Sequence, residues 1–359
     1  MLSLAALTIS SLALGTHAQL VPDNLVATSL SGALSAAKYT NVGGSGSYNQ
    51  VTNMVAGEWP ACTANPSCIT APKSVSGPLA PFDEDMTFNF RGPMTLYNIA
   101  VYQPANTTAA TWKRVSNWAQ NEAPDNMVFM NNAGGGKSGE WTICGGSSQS
   151  YAAGDWSDTV ATPNEELYPG SLPAGKEVNI MTATECDGTN CAGFYHGTAN
   201  LGWAGSKMVV IDYNMPSDPT NLPAIWGLNG QVVRAAQYGC NCRGVGGDGG
   251  CGEIDIAETL TANSPHAISE IYSFKGATGV GDNNYFPRPG DRATIAVVFD
   301  LKTDAISIVR LSDFDYTQTQ LPRSMIDGYL SAPAFSMAFG TPSKRRSERH
   351  GFLGRRHQH

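Results

Sequence analysis

Residues 250–260 read GCGEIDIAETL. Within them Glu253, Asp255 and Glu258 crowd three carboxylates among Ile254, Ile256 and Ala257, in a chain that is only 14% charged. Like charges that close repel unless something shares a proton or binds among them. An extended segment alternates its side chains, so Glu253 and Asp255 fall on one face and Ile254 and Ile256 on the other. Glu258 lies an odd number of residues beyond Glu253, which would turn it to the apolar face. A bulge inserting one residue near Ile256 or Ala257 returns it to the side of the other acids, and bulges recur beside active sites. The stretch therefore reads as a strand with one side packed on a core and the other acidic.

The rest of the chain agrees. Its 359 residues suffice for a sizeable core in one large domain or two smaller ones. Helical periodicity is scarce, whereas 39 Gly, 21 Pro and 9% aromatics separate and build short β-branched or aromatic runs. Such a pattern predicts an all-β fold. MTFNF (86–90) and TLYNIAVY (95–102) alternate, with FRGP supplying a turn between them. The expected organisation is a signal peptide over 1–18, a glycine-rich β N-terminal module over 19–110 and a connector over 111–125, followed by a β-sandwich over 126–341 and a basic disordered tail over 342–359. Within the connector a short helix is expected around Trp112 to Gln120, and the sandwich has room for about 12 short strands.

MLSLAALTISSLALGTHAQL at the start has an apolar core from Leu2 to Leu14 and small residues before Gln19, the pattern of a secretory signal without a basic n-region. No later segment is apolar for long enough to span a bilayer, and no hydrophobic C-terminal tail suggests a lipid anchor. A secreted chain, extracellular or held in a cell wall, is expected. Eight cysteines suit an oxidising compartment. Their spacing allows local disulfides Cys62 with Cys68 and Cys186 with Cys191, while connectivity stays open. A metal reading of Cys240, Cys242 and Cys251 lacks a second spaced pair and a nearby His, so no metal or cofactor is expected. Asn106-Thr107-Thr108 is a glycosylation acceptor if the chain is exported. Net charge is −8, and the final KRRSERHGFLGRRHQH contributes +5, leaving the body at −13. An acidic body argues against nucleic acid as a partner.

Two glycine runs carry less than they suggest. Gly136-Lys137-Ser138 lacks the Gly that a phosphate loop needs, because Asn131 stands at that position, and it reads as a turn. Gly244-Val245-Gly246-Gly247-Asp248-Gly249 has dinucleotide spacing but is followed by a strand where a helix is required.

Two carboxyl groups flanking a bond are the machinery of glycoside hydrolysis, about 5 to 5.5 Å apart in retaining enzymes. One attacks the anomeric carbon while the other protonates the leaving oxygen and then activates water. A middle acid can share a proton with the nucleophile as charge moves. An arbitrary trio on an exposed strand would simply face water. Here the motif sits on a β-branched run in a Gly-rich, aromatic-bearing chain, directly after a cysteine loop.

EIDIAE resembles the catalytic signature of family 16 of the glycoside hydrolases in the bulged form used by β-1,3-glucanases. NLPAIWGLNG (221–230) and GSKMVVIDYNMP (205–216) resemble the strands that precede it there. With YGCNCRGVGGDGGCGEIDIAE, NNAGGGKSGEWTICGG and FRGPMTLYNIAVYQP, the wider pattern resembles a fungal cell-wall glycosidase family that joins a glycine-rich N-terminal module to a family-16-like domain. The resemblance covers most of the chain after the signal. It implies a concanavalin-like jelly-roll β-sandwich with a sugar cleft on its concave face. It also implies Glu253 as nucleophile, Asp255 as its electrostatic helper, Glu258 as acid/base and cell-wall β-1,3-glucan as substrate. Trp226 is the first candidate for a sugar platform, with Tyr238 and Trp203 after it. His196 and His266 are weaker still as cleft residues. Two features depart from the pattern. Ala257 stands where a bulky residue is common, and SAPAFSMAFG (331–340) runs straight into the basic tail where a closing strand is usual, so either another segment closes the sheet or the chain is incomplete. The expected activity is retaining hydrolysis. The alternatives are a β-glucan transglycosylase using the same intermediate, or a wall-binding protein without catalysis.

Overall fold

The computed structural model describes residues 22–340 except 28, 56–66, 134–136, 140–141, 144–145, 148, 196 and 246–248. The expected signal peptide, the basic tail, Cys62, Cys144 and His196 lie outside the described residues.

Two nine-stranded sheets face each other. The first runs from Gln320–Pro322 through Thr111–Ala119, Met94–Pro104, Lys207–Asn214, Ala293–Asp300, Ala305–Leu311 and Ala36–Thr40 to Phe335–Ala338, with Ser171–Leu172 added beside Met94–Pro104. The second runs from Ser150–Tyr151 through Val128–Asn131, Glu177–Met181, Met86–Arg91, Ala224–Asn229, Glu253–Glu258 and His266–Ser273 to Gly276–Gly279, with Phe286–Pro287 beside His266–Ser273. Ile99, Val209, Ile211, Val297 and Ile308 of the first sheet meet Phe88, Phe90, Ile180, Ile225, Ile254 and Ile271 of the second in one buried cluster. The Phe88 and Phe299 rings sit edge to face across it, 6.1 Å between centroids. Inward alternation on both sheets is what a sandwich core demands.

The outer face of the first sheet is closed by the helix Arg323–Ser331, whose Ile326, Tyr329 and Leu330 pack on Tyr102, Met208, Val210 and Val298. Arg323 anchors that helix with a forked pair to buried Asp300, at 2.7 and 2.9 Å. The outer face of the second sheet carries the acids. A hairpin of Gly46–Val55 and Ser67–Val75 flanks it. Tyr48 of that hairpin packs with Val232, Val233 and Cys242, and Val51 and Met54 pack with Ala235, Ala236 and Cys240.

Strands from the stretch expected as an N-terminal module are threaded between later ones. Met86–Arg91 lies between Glu177–Met181 and Ala224–Asn229, and Met94–Pro104 lies between Thr111–Ala119 and Lys207–Asn214. Strands from the expected module are thus interior members of both sheets. Among the described residues of that stretch, only the strands Gly46–Val55 and Ser67–Val75 pair outside the two sheets. The closing strand that residues 331–340 seemed to lack comes from both ends of the described chain, because Phe335–Ala338 pairs in parallel with Ala36–Thr40.

The helix expected around Trp112 is also corrected: Thr111–Ala119 is a strand. Its pairing with Met94–Pro104 shifts register at Val101 and Tyr102, which face Ser116 and Arg114 and leave Val115 as the extra residue. The bulge sends Trp112 to the outer cluster and Trp118 to the inter-sheet core. In the sequence Trp112, Val115, Ser116 and Ala119 stand at the spacing of a helical face, although Trp112 and Val115 pack on opposite sides of the sheet.

The cysteine pairing differs as well. Cys68 bonds Cys240, not Cys62, and joins the hairpin to the segment after the short helix Gly230–Arg234. Cys242 bonds Cys251. Cys186 and Cys191 are neighbouring free thiols, and burial raises the Cys186 pKa. Ser138 of the glycine-lysine-serine run is buried in a turn, its Oγ accepting from Tyr151 N at 2.9 Å. No helix among the described residues is long and apolar enough to cross a membrane.

Candidate active site

The bulge expected at Ile256 or Ala257 is present. Ala257 pairs with Ile225 and Asp255 with Trp226, so Ile256 has no counterpart on that side. On the other side Asp255 pairs with Glu270 and Glu258 with Ile268, three residues against two. Ile254, Ile256 and Ala257 consequently all enter the inter-sheet core. Glu253, Asp255 and Glu258 share the opposite face, close enough for each to raise the charge cost of another. Ala257 is 1% exposed on the core side, where the bulge leaves little width.

Each acid has its own surroundings. Glu253 is 5% exposed and receives both arms of Arg243, Nε on Oε2 at 2.7 Å and Nη2 on Oε1 at 2.5 Å. Asp255 is equally buried. Burial first, then the Glu258 and Glu253 carboxylates, push it well above the usual carboxylate range. Its backbone carbonyl accepts from Ser269 Oγ at 2.7 Å, which fixes the strand from the core side. Glu258 is the most open of the three, its side chain 25% exposed. Burial raises its pKa, and Arg91, at 3.0 Å, pulls it part of the way back.

Arg91 ties the acids to the neighbouring strands. It also lies 3.5 Å from Glu177, donates from Nε to Leu222 O at 2.6 Å and places its guanidinium 5.5 Å from the Trp226 ring centroid. Tyr238 donates to Glu177 at 2.6 Å and lies under Arg243, 6.0 Å from its ring centroid. Tyr272, opposite Glu253, donates to Glu270, opposite Asp255. The result is a face of acids alternating with two arginines and edged by tyrosines.

The three aromatic candidates separate. Tyr238 is 40% exposed at the rim and is the one open to a ligand. Trp226 is on the acid face but only 2% exposed, roofed by Arg91. Trp203 is corrected to a core residue: it is 2% exposed, 6.1 Å from Phe88, and its Nε1 donates to Ser116 Oγ at 3.0 Å between the sheets. It follows a loop rather than a strand, so alternation gave no guide to its direction. His266 stacks on Tyr285 at 3.5 Å on the far strand.

Sequence reading missed Arg91, Arg243, Glu177, Glu270 and Tyr272. Glu270 and Tyr272 could have been found by parity, since HAISEIYS alternates through its whole length. Arg91 was hidden in a stretch read as a turn. Arg243 reaches the acids only because the cysteine loop folds back.

Two family models match the chain, the cell wall protein YJL171C/Tos1 C-terminal model over residues 110–328 and the N-terminal model over 35–104. A Schizosaccharomyces pombe protein named probable circularly permuted 1,3-beta-glucanase is 35% identical over 62% of this chain and 46% of its own length. The Saccharomyces cerevisiae probable circularly permuted 1,3-beta-glucanase TOS1 is 36% identical over 64% of this chain and 52% of its own. Candida albicans PGA52, named in the same way, is 29% identical over 81% of both chains. The chain spans about half the length of the first two relatives. No solved structure matches it. On the extent of these matches, the chain belongs to the YJL171C/Tos1 family of cell wall proteins.

Proposed function

We propose that this protein is a secreted glycosidase that cleaves β-1,3-glucan of the fungal cell wall with retention of configuration. The observation that carries the reading is the bulge at Ile256, which puts Glu253, Asp255 and Glu258 on one outward face of the second sheet. Glu253 is the nucleophile, its carboxylate oriented by Arg243. A bidentate arginine uses two of the four lone-pair directions of a carboxylate and leaves the others for attack. Glu258, partly open and with a raised pKa, is the acid that protonates the leaving oxygen and then serves as base for water. Asp255, its pKa raised between them, can hydrogen-bond the Glu253 carboxylate when the glycosyl–enzyme ester is hydrolysed and the charge returns to Glu253. Tyr238 at the rim offers a ring for a pyranose face. The names of the relatives support a 1,3-linked glucan as the substrate class.

The test compares wild type with Glu253→Gln and Glu258→Gln on purified β-1,3-glucan, following reducing ends, product anomer and longer oligosaccharides. Wild type is expected to release β-configured products first. Glu258→Gln should lose about 10²- to 10⁴-fold in kcat, and Glu253→Gln at least as much. Equal turnover by all three proteins would overturn the roles. Longer oligosaccharides in place of new reducing ends would convert the hydrolase to a transglycosylase, and no product from any β-glucan would leave a wall-binding protein.

A further inference from the structure

We propose that Arg243 is the positioning residue of the nucleophile, and that the Cys242–Cys251 crosslink is what keeps it there. The inference rests on the catalytic reading of Glu253 and adds a second requirement to it: the site is complete only when the cysteine loop is closed.

The geometry is local. Arg243 directly follows Cys242, and Glu253 stands just beyond Cys251 in the chain. With the two cysteine Cα atoms 5.6 Å apart, the loop returns on itself and sets the guanidinium beside the carboxylate. Gly250 N and Cys251 N both donate to Cys242 O, at 2.9 and 3.1 Å, so the neck is stitched by hydrogen bonds as well. Gly250 has φ +101, and a Cβ there would come within 2.5 Å of Phe274 N, so the return path admits no side chain. On the other side of Arg243, Cys240 is bonded to Cys68 of the hairpin. Asn241 donates to Ala236 O at 2.7 Å and Gln237 O at 3.0 Å, and accepts from Arg243 N at 2.8 Å. Two crosslinks and a side-chain clamp thus flank one arginine. Cys240, Cys242 and Cys251 are themselves buried, and this restraint converges on the residue forked to Glu253.

Three acids on one face make such a restraint useful. The Glu258 carboxylate repels the Glu253 charge, while Asp255, Glu270, Tyr272, Tyr238, Arg91 and Glu177 complete the charged and titratable surroundings. A guanidinium free to wander would surrender the fork to solvent. Closing the short loop removes most of that freedom before the site forms. Arg243 also lowers the proton affinity of Asp255 and Glu258. Its loss therefore moves both titrations upward, and with Glu258 the alkaline limb of activity, since the acid must be protonated to act.

The experiment uses the full chain as wild type, Arg243→Gln, Arg243→Lys and Cys242→Ser with Cys251→Ser. Two readouts are taken, the pH profile of kcat and KM on β-1,3-glucan, and the titration of carbon-13-labelled Asp255 and Glu258 side chains by NMR. Arg243→Gln is expected to lose about 10- to 100-fold in kcat, with KM changed less than about threefold and the alkaline limb and both titrations displaced upward. Arg243→Lys should recover part of each. The double serine variant should follow Arg243→Gln in direction while still melting cooperatively. Titrations and limb unchanged in Arg243→Gln, with only stability lost, would overturn the positioning role. A rise in kcat would make Arg243 a cover over Glu253 and overturn it too. A double serine variant with wild-type profile and kcat would overturn the part played by the crosslink. If wild type turns over no β-glucan, the glycosidase reading fails, whereas the NMR arm still decides whether Arg243 sets the charge of the acidic face.

Discussion

Glu258 shows how one residue is tuned by two opposed effects. Burial raises its pKa, and Arg91, at 3.0 Å, is the largest force holding it down. On the proposed role of Glu258 the acid form is the working form, and activity is expected to fall as pH rises through the folded-state pKa. Arg91→Gln removes a positive charge, raises that pKa further and is expected to shift the alkaline limb of kcat/KM to higher pH. A pH–rate profile that stays in place would show that Glu258 is not the group whose protonation limits the rate. The same arginine roofs Trp226, which explains why the aromatic expected as platform is closed and Tyr238 is open. Residue type alone cannot distinguish the two rings, because burial on the acid face depends on which neighbour lies over each.

At the scale of the element, the strand Glu253–Glu258 keeps its three acids on one face by being irregular. A regular Glu253–Glu258 strand would aim Glu258 between the sheets, among Ile225, Ile254 and Ile271. Deleting Ile256 makes the offset from Glu253 to Glu258 even, so a regular strand keeps all three acids on one face, and hydrolysis should remain detectable. The cost should be that of losing the buried Ile256 side chain, about 2 to 5 kcal/mol, because no carboxyl group enters the core. Thermal melting and activity on β-glucan check this together, and a folded deletion variant without activity would show that the shared face alone is not enough and the bulge itself is needed. The bulge was legible because five residues from Glu253 to Glu258 cannot share a face otherwise. The second bulge, in Thr111–Ala119, was not legible, because there the extra residue imitates helical spacing and no functional residue marks the parity.

For the whole molecule, the sequence boundary between the two family models, near residues 104 and 110, does not divide the fold. Met86–Arg91 and Met94–Pro104 are each hydrogen-bonded on both sides by strands from later in the chain. A fragment starting at residue 105 would open a gap in the middle of each sheet, with two unpaired edges at each gap, and leave Phe88, Phe90, Ile99 and Val101 out of the core. It is expected to be insoluble, while a fragment over 22–340 melts cooperatively. Soluble yield and calorimetry decide this, and a folded fragment from 105 onward would reinstate separable domains. Several relatives carry the words circularly permuted in their names.

By itself the sequence determined the all-β class, the outward acids and the bulge beneath them. Each of these follows from side-chain alternation within one short segment, which needs no knowledge of distant residues. Tertiary structure alone decided the rest. It made Arg91 and Arg243 partners of the acids, exchanged Trp226 for Tyr238 as the open ring, sent Trp203 to the core and paired Cys68 with Cys240. It also threaded the early strands through both sheets. Those outcomes depend on contacts between residues far apart in the chain, and no local period encodes them.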